Sequence, residues 1–174
     1  ARAVRGYQRD NQIADDRPIF IQVERHGRED SAVTHSGGRA DLTTTAAAKS
    51  GPIAFAEAKV THSDIKYVSI YDSFTITVLM QLEDLGFCAK GEGGRFVADG
   101  NLISGVGKLP FNTDGGGLCS NHPGNRGGLT KVLEAVRQLR GEAHPKVQVP
   151  NCDLVLAHGT GGSLGTREIT CRGV

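Results

Sequence analysis

The alternation of strand-like and helix-like segments is the feature that most constrains the fold of this chain. Three strand-like segments are each followed by a helix-like one, in the order 17–23, 50–60, 65–72, 73–86, 109–116 and 129–140. Two further strands, 152–162 and 166–173, come directly after one another and are close enough to pair antiparallel. Such alternation is typical of α/β domains. The sequence therefore predicts a five-stranded mixed sheet, mostly parallel with its last strand antiparallel, covered by helices.

Local signals refine these segments. Ser50 is expected to cap the first helix, and Gly86 to end the second. The glycine-rich residues 88–108 read as an irregular loop with a short hairpin. The last helix has an apolar stripe at helical spacing, made by Leu129, Val132, Leu133, Val136 and Leu139. This stripe and the strand LVLA offer more apolar surface than one sheet face needs, so we expect part of it to be exposed and to mark an interface.

Length and charge exclude several classes of protein. The 174 residues carry 20 basic and 19 acidic side chains, a net charge of +1. The chain therefore has no excess of positive charge that would indicate binding to nucleic acid or to an anionic membrane. No apolar run approaches the roughly 18 residues that span a bilayer, and no secretory signal is visible. We expect a single cytoplasmic domain over residues 1–174, with a polar leader at 1–16. Because the first residue is Ala, a processed or partial product is also expected.

The cysteines do not form a metal-binding or disulfide pattern. Cys88, Cys119, Cys152 and Cys171 are scattered without CxxC spacing, so neither a zinc site nor a disulfide framework is predicted. Cys119 lies three residues before His122, which raises the possibility of a Cys/His nucleophile. A cysteine among small residues in a turn is more often structural, and we expect Cys119 to point away from His122.

The segment NTDGGGLCSNHPG, residues 112–124, is the strongest functional signal. Three consecutive glycines let the backbone approach a ligand closely, and an amphipathic helix follows. The spacing matches neither the P-loop nor the dinucleotide-binding fingerprint, which excludes the obvious phosphate-binding alternatives. We therefore predict that His122 is an acid/base group held on a rigid loop. A structural or solvent-facing histidine is the alternative.

Two more polar motifs follow predicted strands, YDSF at 71–74 and HGTGG at 158–162. In open α/β sheets, ligands bind beyond the carboxyl ends of the parallel strands. We expect the imidazoles of His122 and His158 and the hydroxyl of Tyr71 to converge there. Each has a structural alternative: His158 as a buried hydrogen-bonded residue, and Tyr71 as a core residue. Asp72 is expected to cap the following helix, and the remaining histidines to be solvated: His26, His35, His62 and His144.

Together these motifs resemble the C-terminal half of the thiolase superfamily, in its lipid-transfer-protein branch of sterol-carrier-protein-X-like thiolases and related aldolases. The resemblance covers roughly residues 17–174. It is carried by YDSFTITVLMQLEDLGFCAKGEGGRFV, by the loop from Asn112 to Pro123, by EAVRQLRGEA and by HGTGG. It implies a five-stranded half covered by helices, two such halves forming a subunit that usually dimerises.

The resemblance also implies roles for individual residues. His122 matches the histidine of the family's Gly-His-Pro loop, which activates the nucleophilic cysteine or helps to hold the thioester oxygen. His158 falls at the second, acid/base cysteine, and Tyr71 at the oxyanion-hole Asn of the Asn-Glu-Ala-Phe motif. Asn121 stands where most members have Gly. The substrate-binding or oxyanion set is Asn112, Gly115, Gly116, Asn121, Gly161 and Gly162, and no metal site is implied.

The implied activity is an enzyme that makes or breaks a carbon–carbon bond in an acyl-CoA. Loss of the second cysteine and of the oxyanion Asn favours retro-aldol cleavage of a β-hydroxyacyl-CoA over thiolysis. A CoA thioester is the expected substrate, and no tightly bound cofactor is expected. The nucleophilic cysteine belongs to an N-terminal half in the same or another chain, so a homodimer or hetero-oligomer is expected. The alternative is a non-catalytic scaffold, or an acyl- or lipid-binding subunit completed by a partner.

Overall fold

In the part of the chain that the structure describes, four strands form one sheet. The computed structural model describes residues 43–103, 107–120, 122 and 127–160, and the backbone of 19–24 and 166–173. The strands are β1 (Ile19–Glu24), β2 (Tyr67–Ile70), β3 (Leu154–Thr160) and β4 (Thr166–Gly173), in the spatial order β1-β4-β3-β2. β4 pairs antiparallel with β3, as predicted. The sheet is not mostly parallel, because β2–β3 is parallel whereas β1–β4 is antiparallel.

The predicted fifth strand is reduced to a single bridge among the described residues. Phe111 pairs in parallel with Val68 at the free edge of β2. Val68 donates to Pro110 at 3.0 Å and accepts from Asn112 at 3.1 Å. The pairing ends there because Pro110 has no N–H and Asn112 turns the chain away with a φ of 39°. A five-stranded sheet is therefore not confirmed.

Five α-helices occur among the described residues: α1 (Ala47–Ala58), α2 (Thr75–Asp84), α3 (Gly93–Ala98), α4 (Gly116–Cys119) and α5 (Gly127–Arg140). A short 3-10 helix spans His62–Asp64. α1, α2 and α5 confirm the predicted helices. Ser50 does not cap α1, since the helix begins earlier and the buried Ser50 hydroxyl donates to the Ala46 carbonyl at 3.1 Å. None of the described helices is long and apolar enough to cross a membrane.

The helix α3 corrects the prediction of an irregular segment with a hairpin at 88–108. Its first N–H, that of Gly93, donates to the Glu83 carboxylate at 2.9 Å. Glu83 belongs to α2, so a tertiary contact supplies the cap that the glycine-rich sequence lacks. Short helices are marginal without such support, which is why the local pattern did not reveal this one.

The core lies on both faces of the sheet. On one face, Val68, Ile70, Leu154 and Leu156 pack against apolar side chains of α1 and α2. On the other face, residues that alternate with these, including Tyr67 and the β3 pair Val155 and Ala157, pack against α5. The result is a three-layer arrangement in which both faces of β2 and β3 are covered.

The helix α5 does not bury its apolar stripe completely. Leu129 and Leu133 are 61% and 52% exposed, while Val132, Val136 and Leu139 are partly buried against the sheet. The fully packed side includes polar residues instead, namely Lys131, Glu134 and Gln138. The expected exposed apolar surface is thus present on α5, and its buried side is more polar than the sequence pattern indicated.

Candidate active site

The parallel strands β2 and β3 end at the same edge of the sheet, and Tyr71 is the first residue beyond β2. Ile70 is in register with His158, and the Tyr71 N–H donates to the His158 carbonyl at 2.9 Å. The main chain of β3 therefore fixes the direction in which Tyr71 leaves the sheet.

The Tyr71 side chain contacts His122. The phenol oxygen lies 2.8 Å from His122 Nδ1, and the two rings are stacked with their centroids 5.4 Å apart. The expected convergence of these two residues is present although they are far apart in sequence. Tyr71 is buried while His122 is exposed, so the pair connects the interior with the surface.

The environment of Tyr71 keeps its phenol protonated. Burial raises the pKa of Tyr71 above 10.0, its ordinary value, and the nearby Asp72 carboxylate raises it further. Desolvation and a like charge both disfavour a phenolate. At neutral pH the Tyr71 hydroxyl can donate to His122 Nδ1 whenever that nitrogen carries no proton.

Asp72 holds the loop that leads to His122. Its carboxylate accepts the N–H of Gly117 at 2.6 Å and that of Leu118 at 3.2 Å. Asp72 therefore caps α4, and the prediction that it caps the following helix is wrong. At α2 the cap is provided by Thr77, whose hydroxyl accepts from the Phe74 N–H at 3.2 Å.

Asn112 and the first glycines of the loop are bonded within the scaffold. The Asn112 side chain accepts from Ile70 N at 3.0 Å and donates to Ile70 O at 2.9 Å, which continues the sheet ladder by one step. Gly115 donates to the Asn112 carbonyl and Gly116 to the Asp114 carboxylate, both at 2.9 Å. The described N–H groups of Gly115 and Gly116 thus stabilise the loop, and their oxyanion role stays a prediction. Asn121, Gly161 and Gly162 lie outside the described residues.

His158 is completely buried. It is in register with Ile70, which packs with Leu154 and Leu156 against α1 and α2, so the strand alternation directs its side chain to that face, whereas the Tyr71 ring contacts Gly127 of α5 on the other face. Through its carbonyl His158 supports Tyr71, and Tyr71 in turn reaches His122. The acid/base role of the His158 imidazole stays a prediction.

Asp114 and Lys131, both near the site, were not identified from the sequence, and Asp72 was identified only as a helix cap. Lys131 of α5 is completely buried, and its Nζ lies 3.9 Å from Asp72 Oδ1 and 3.7 Å from Asp114 Oδ1. A lysine on an amphipathic helix is expected on the solvent side, so the pattern gave no signal. The aspartate next to the predicted Tyr71 was the only available hint.

Among the described residues, Cys88, Cys152 and His62 do not offer a competing site. Burial raises the pKa of Cys152 to about 12 and also raises that of Cys88, which disfavours thiolates. Cys119 is exposed on α4. His62 is not merely solvated, since it stacks on Phe55 and its Nε2 lies 2.7 Å from Leu85 O. Within the described ranges, no group of three His, Cys, Asp or Glu residues could hold a metal ion. His26 and His35 lie outside those ranges.

The sequence matches a known family over most of its length. The profile described as thiolase C-terminal domain-like covers residues 29–171. The chain belongs to this family. An acetyl-CoA acetyltransferase of Methanothermobacter thermautotrophicus is 36% identical over 162 residues, 88% of this chain and 39% of that protein. A steroid side-chain-cleaving aldolase of Thermomonospora curvata is 48% identical over 87 residues, 50% of this chain and 21% of that protein.

The fold agrees with that assignment. A solved structure described as an Ltp2-ChsH2(DUF35) aldolase superposes with a TM-score of 0.66 and 38% identity, over 77% of this chain and 34% of that chain. The predicted thiolase-superfamily membership, on the lipid-transfer-protein branch, and the α/β fold are confirmed. The chain spans at most 39% of the length of these three proteins.

Proposed function

We propose that this thiolase-family chain is the C-terminal half of an enzyme that makes or breaks a carbon–carbon bond in a CoA thioester. Tyr71 and His122 are its proton-transfer pair. The observation that carries the proposal is the 2.8 Å contact between the Tyr71 hydroxyl and His122 Nδ1 at the carboxyl end of the parallel strands. General acid/base catalysis requires such hydrogen-bond contact between cooperating groups.

The residues favour retro-aldol cleavage over thiolysis. Thiolysis in this family uses a second, acid/base cysteine in addition to the nucleophilic cysteine of the N-terminal half, and this chain has His158 at the position of that second cysteine. Retro-aldol cleavage needs only a base that accepts the β-hydroxyl proton and hydrogen-bond donors that stabilise the negative charge of the enolate. A relative and a solved structure that resemble this chain are both described as aldolases, which supports the same choice.

In this proposal the proton moves through Tyr71. The β-hydroxyl proton of the substrate passes to the Tyr71 oxygen while the Tyr71 proton passes to His122 Nδ1. The O–H electron pair forms the new carbonyl, the Cα–Cβ bond breaks, and its electron pair moves onto the thioester as an enolate. Because the phenol pKa is raised, this concerted transfer avoids a free phenolate.

Protonation of the enolate at Cα completes the reaction and gives the shortened acyl-CoA. His158 matches the second acid/base position of the family, but it is completely buried and follows the strand alternation to the face opposite Tyr71. We therefore assign this proton to the His122 imidazolium that forms in the first step. The oxyanion itself requires donors from Asn121, Gly161, Gly162 or the partner half, since the Gly115 and Gly116 amides bond within the loop. No tightly bound cofactor is needed, and the partner is an N-terminal thiolase half in the same or another chain.

Kinetics of variants in the complete protein test the pair. Tyr71→Phe and His122→Ala should each lower turnover about 100-fold or more, the usual range for loss of a proton-transfer group. His144→Ala is the matched control, because His144 is exposed and bonds only locally to the Lys146 N–H at 3.2 Å. His158→Asn separately tests the second acid/base position of the family. Near-wild-type turnover in both Tyr71→Phe and His122→Ala, with normal assembly, would instead favour a non-catalytic scaffold or an acyl- or lipid-binding subunit.

A further inference from the structure

A buried ion cluster lies directly behind the Tyr71–His122 pair. It consists of Lys131, with its side chain 1% exposed, and the carboxylates of Asp72 and Asp114 at 3.9 and 3.7 Å from its Nζ. Among the described residues, no acceptor lies within hydrogen-bond distance of Nζ. The ammonium therefore acts as a point charge between two carboxylates, without a directed bond to either.

Both carboxylates hold the start of α4. Asp114 accepts the Gly116 N–H at 2.9 Å, and Asp72 accepts the next two N–H groups of the chain. His122 lies against this turn, since a Cβ at Gly117 would be 3.4 Å from His122 Nδ1 and 3.1 Å from Asp72 Oδ1. The space between this turn and His122 is therefore about that of one methyl group, and a larger shift of the turn must move His122.

Two carboxylates this close to one cation repel each other when the cation is removed. In a buried setting the uncompensated charges are costly, and one carboxylate then takes up a proton or moves towards water. Either change alters the hydrogen bonds that fix α4. Because Asp72 is also the neighbour of Tyr71 in the chain, the disturbance reaches both members of the pair.

We propose that Lys131 is a positioning residue for the Tyr71–His122 pair, holding Asp72 and Asp114 together so that α4 keeps His122 in contact with the phenol. The kinetic consequence rests on the proposed function. The positioning of α4 and His122 by Lys131 does not rest on that function. The positioning role and the proposed function can therefore be disproved separately.

The charged and titratable groups around Tyr71 determine the direction in which each substitution should shift the pKa of its phenol. They are Asp72 beside it, His122 on the loop, His158 on β3, and Lys131 on α5 with its second partner Asp114. Removing the negative charge of Asp72 should make the phenol easier to ionise. Removing the positive charge of Lys131 should make it harder, because Asp72 and Asp114 are then uncompensated.

The experiment places 3,5-difluorotyrosine at position 71 of the complete protein and follows its ionisation by fluorine NMR. Asp72→Asn should lower the phenol pKa by about 0.5 or more, and Lys131→Gln should raise it by a similar amount, as expected for close buried charges. In the double variant that combines Asp72→Asn with Lys131→Gln, the phenol pKa should return close to its value in the unsubstituted protein. Lys146→Gln, which removes an exposed lysine charge, is the control and should leave the ionisation unchanged.

Kinetics provide the second readout. Lys131→Gln should lower kcat about tenfold to 100-fold with KM nearly unchanged, because misplacement of a catalytic group affects the transition state. If this variant does not fold, Lys131→Gln with Asp114→Asn removes one buried charge of each sign and should still raise the phenol pKa, by a smaller amount, because only Asp72 is then uncompensated. An unchanged fluorine titration in whichever of these variants folds overturns the inference. Shifts as expected, with full activity in Tyr71→Phe, support it and reject the proposed function.

Discussion

Gly127, the first residue of α5, lies so close to the Tyr71 ring that a Cβ there would overlap ring carbons and stand 2.6 Å from the phenol oxygen. The start of α5 therefore serves as the surface on which the phenol rests. Any larger residue at this position must displace Tyr71 or the start of α5, and displacement of Tyr71 moves its hydroxyl away from His122.

Gly127→Ala should lower both activity and stability. Overpacking of this kind costs about 1–3 kcal/mol, and displacement of the phenol adds a loss of turnover. The neighbouring Gly128→Ala is the matched control, because its Cβ would meet nothing closer than Gly159 Cα at 3.8 Å. Urea unfolding and kcat should both separate the two variants. Equal behaviour of Gly127→Ala and Gly128→Ala would contradict the described contact.

Asn112→Asp should destabilise the fold although the change is nearly isosteric. The carboxylate cannot donate to the Ile70 carbonyl and repels it, so we expect a loss of about 1–3 kcal/mol in the free energy of unfolding. Asn151→Asp is the control, since Asn151 also has a positive φ of 51° but is exposed. A comparable loss in both variants would show that the backbone conformation, and not the Asn112 amide, matters.

Much of the fold was predictable, because α1, α2 and α5 have clear helical periodicity and β2 to β4 have clear strand composition. The short helices α3 and α4 were not, since each begins at a carboxylate from elsewhere, Glu83 or Asp72. The sequence also indicated Tyr71 and His122 as site residues. It could not show that Lys131 is buried, because that depends on two aspartates reached only through tertiary packing.

Alkaline pH should destabilise the protein through its buried tyrosines. Burial raises the pKa of Tyr67 strongly and that of Tyr71 as well, so in the folded state both stay protonated above pH 10.0. The unfolded chain loses these protons first. This stabilisation is therefore complete below the unfolded pKa and is lost as pH rises through the folded values.

Chemical denaturation between about pH 9 and 12 measures this effect. For each protein, the fall in the free energy of unfolding with rising pH is measured from its own value at pH 8. This fall should be smaller in Tyr67→Phe than in the wild-type protein. An identical slope in the wild-type protein and Tyr67→Phe would mean that Tyr67 does not contribute.

The exposed leucines of α5 should make the isolated chain self-associate. Leu129 and Leu133 are neighbours at i and i+4 and are both more than half exposed, an arrangement typical of an interface. Replacing both with Gln should increase the monomer fraction in sedimentation at micromolar concentration. Ile103→Gln is the control, as Ile103 is 57% exposed but lies outside α5. A folded wild-type monomer at that concentration would contradict this prediction.

The central claim is that Tyr71 and His122 transfer the proton that allows a carbon–carbon bond of a CoA thioester to break. The most direct measurement is product analysis of the complete protein with a β-hydroxyacyl-CoA and, separately, a β-ketoacyl-CoA with free CoA. We predict equal amounts of a carbonyl compound and a shortened acyl-CoA from the hydroxy substrate, with the rate lowered about 100-fold or more in Tyr71→Phe. Cleavage of the keto substrate alone, or cleavage of the hydroxy substrate at the same rate in Tyr71→Phe, would contradict the account.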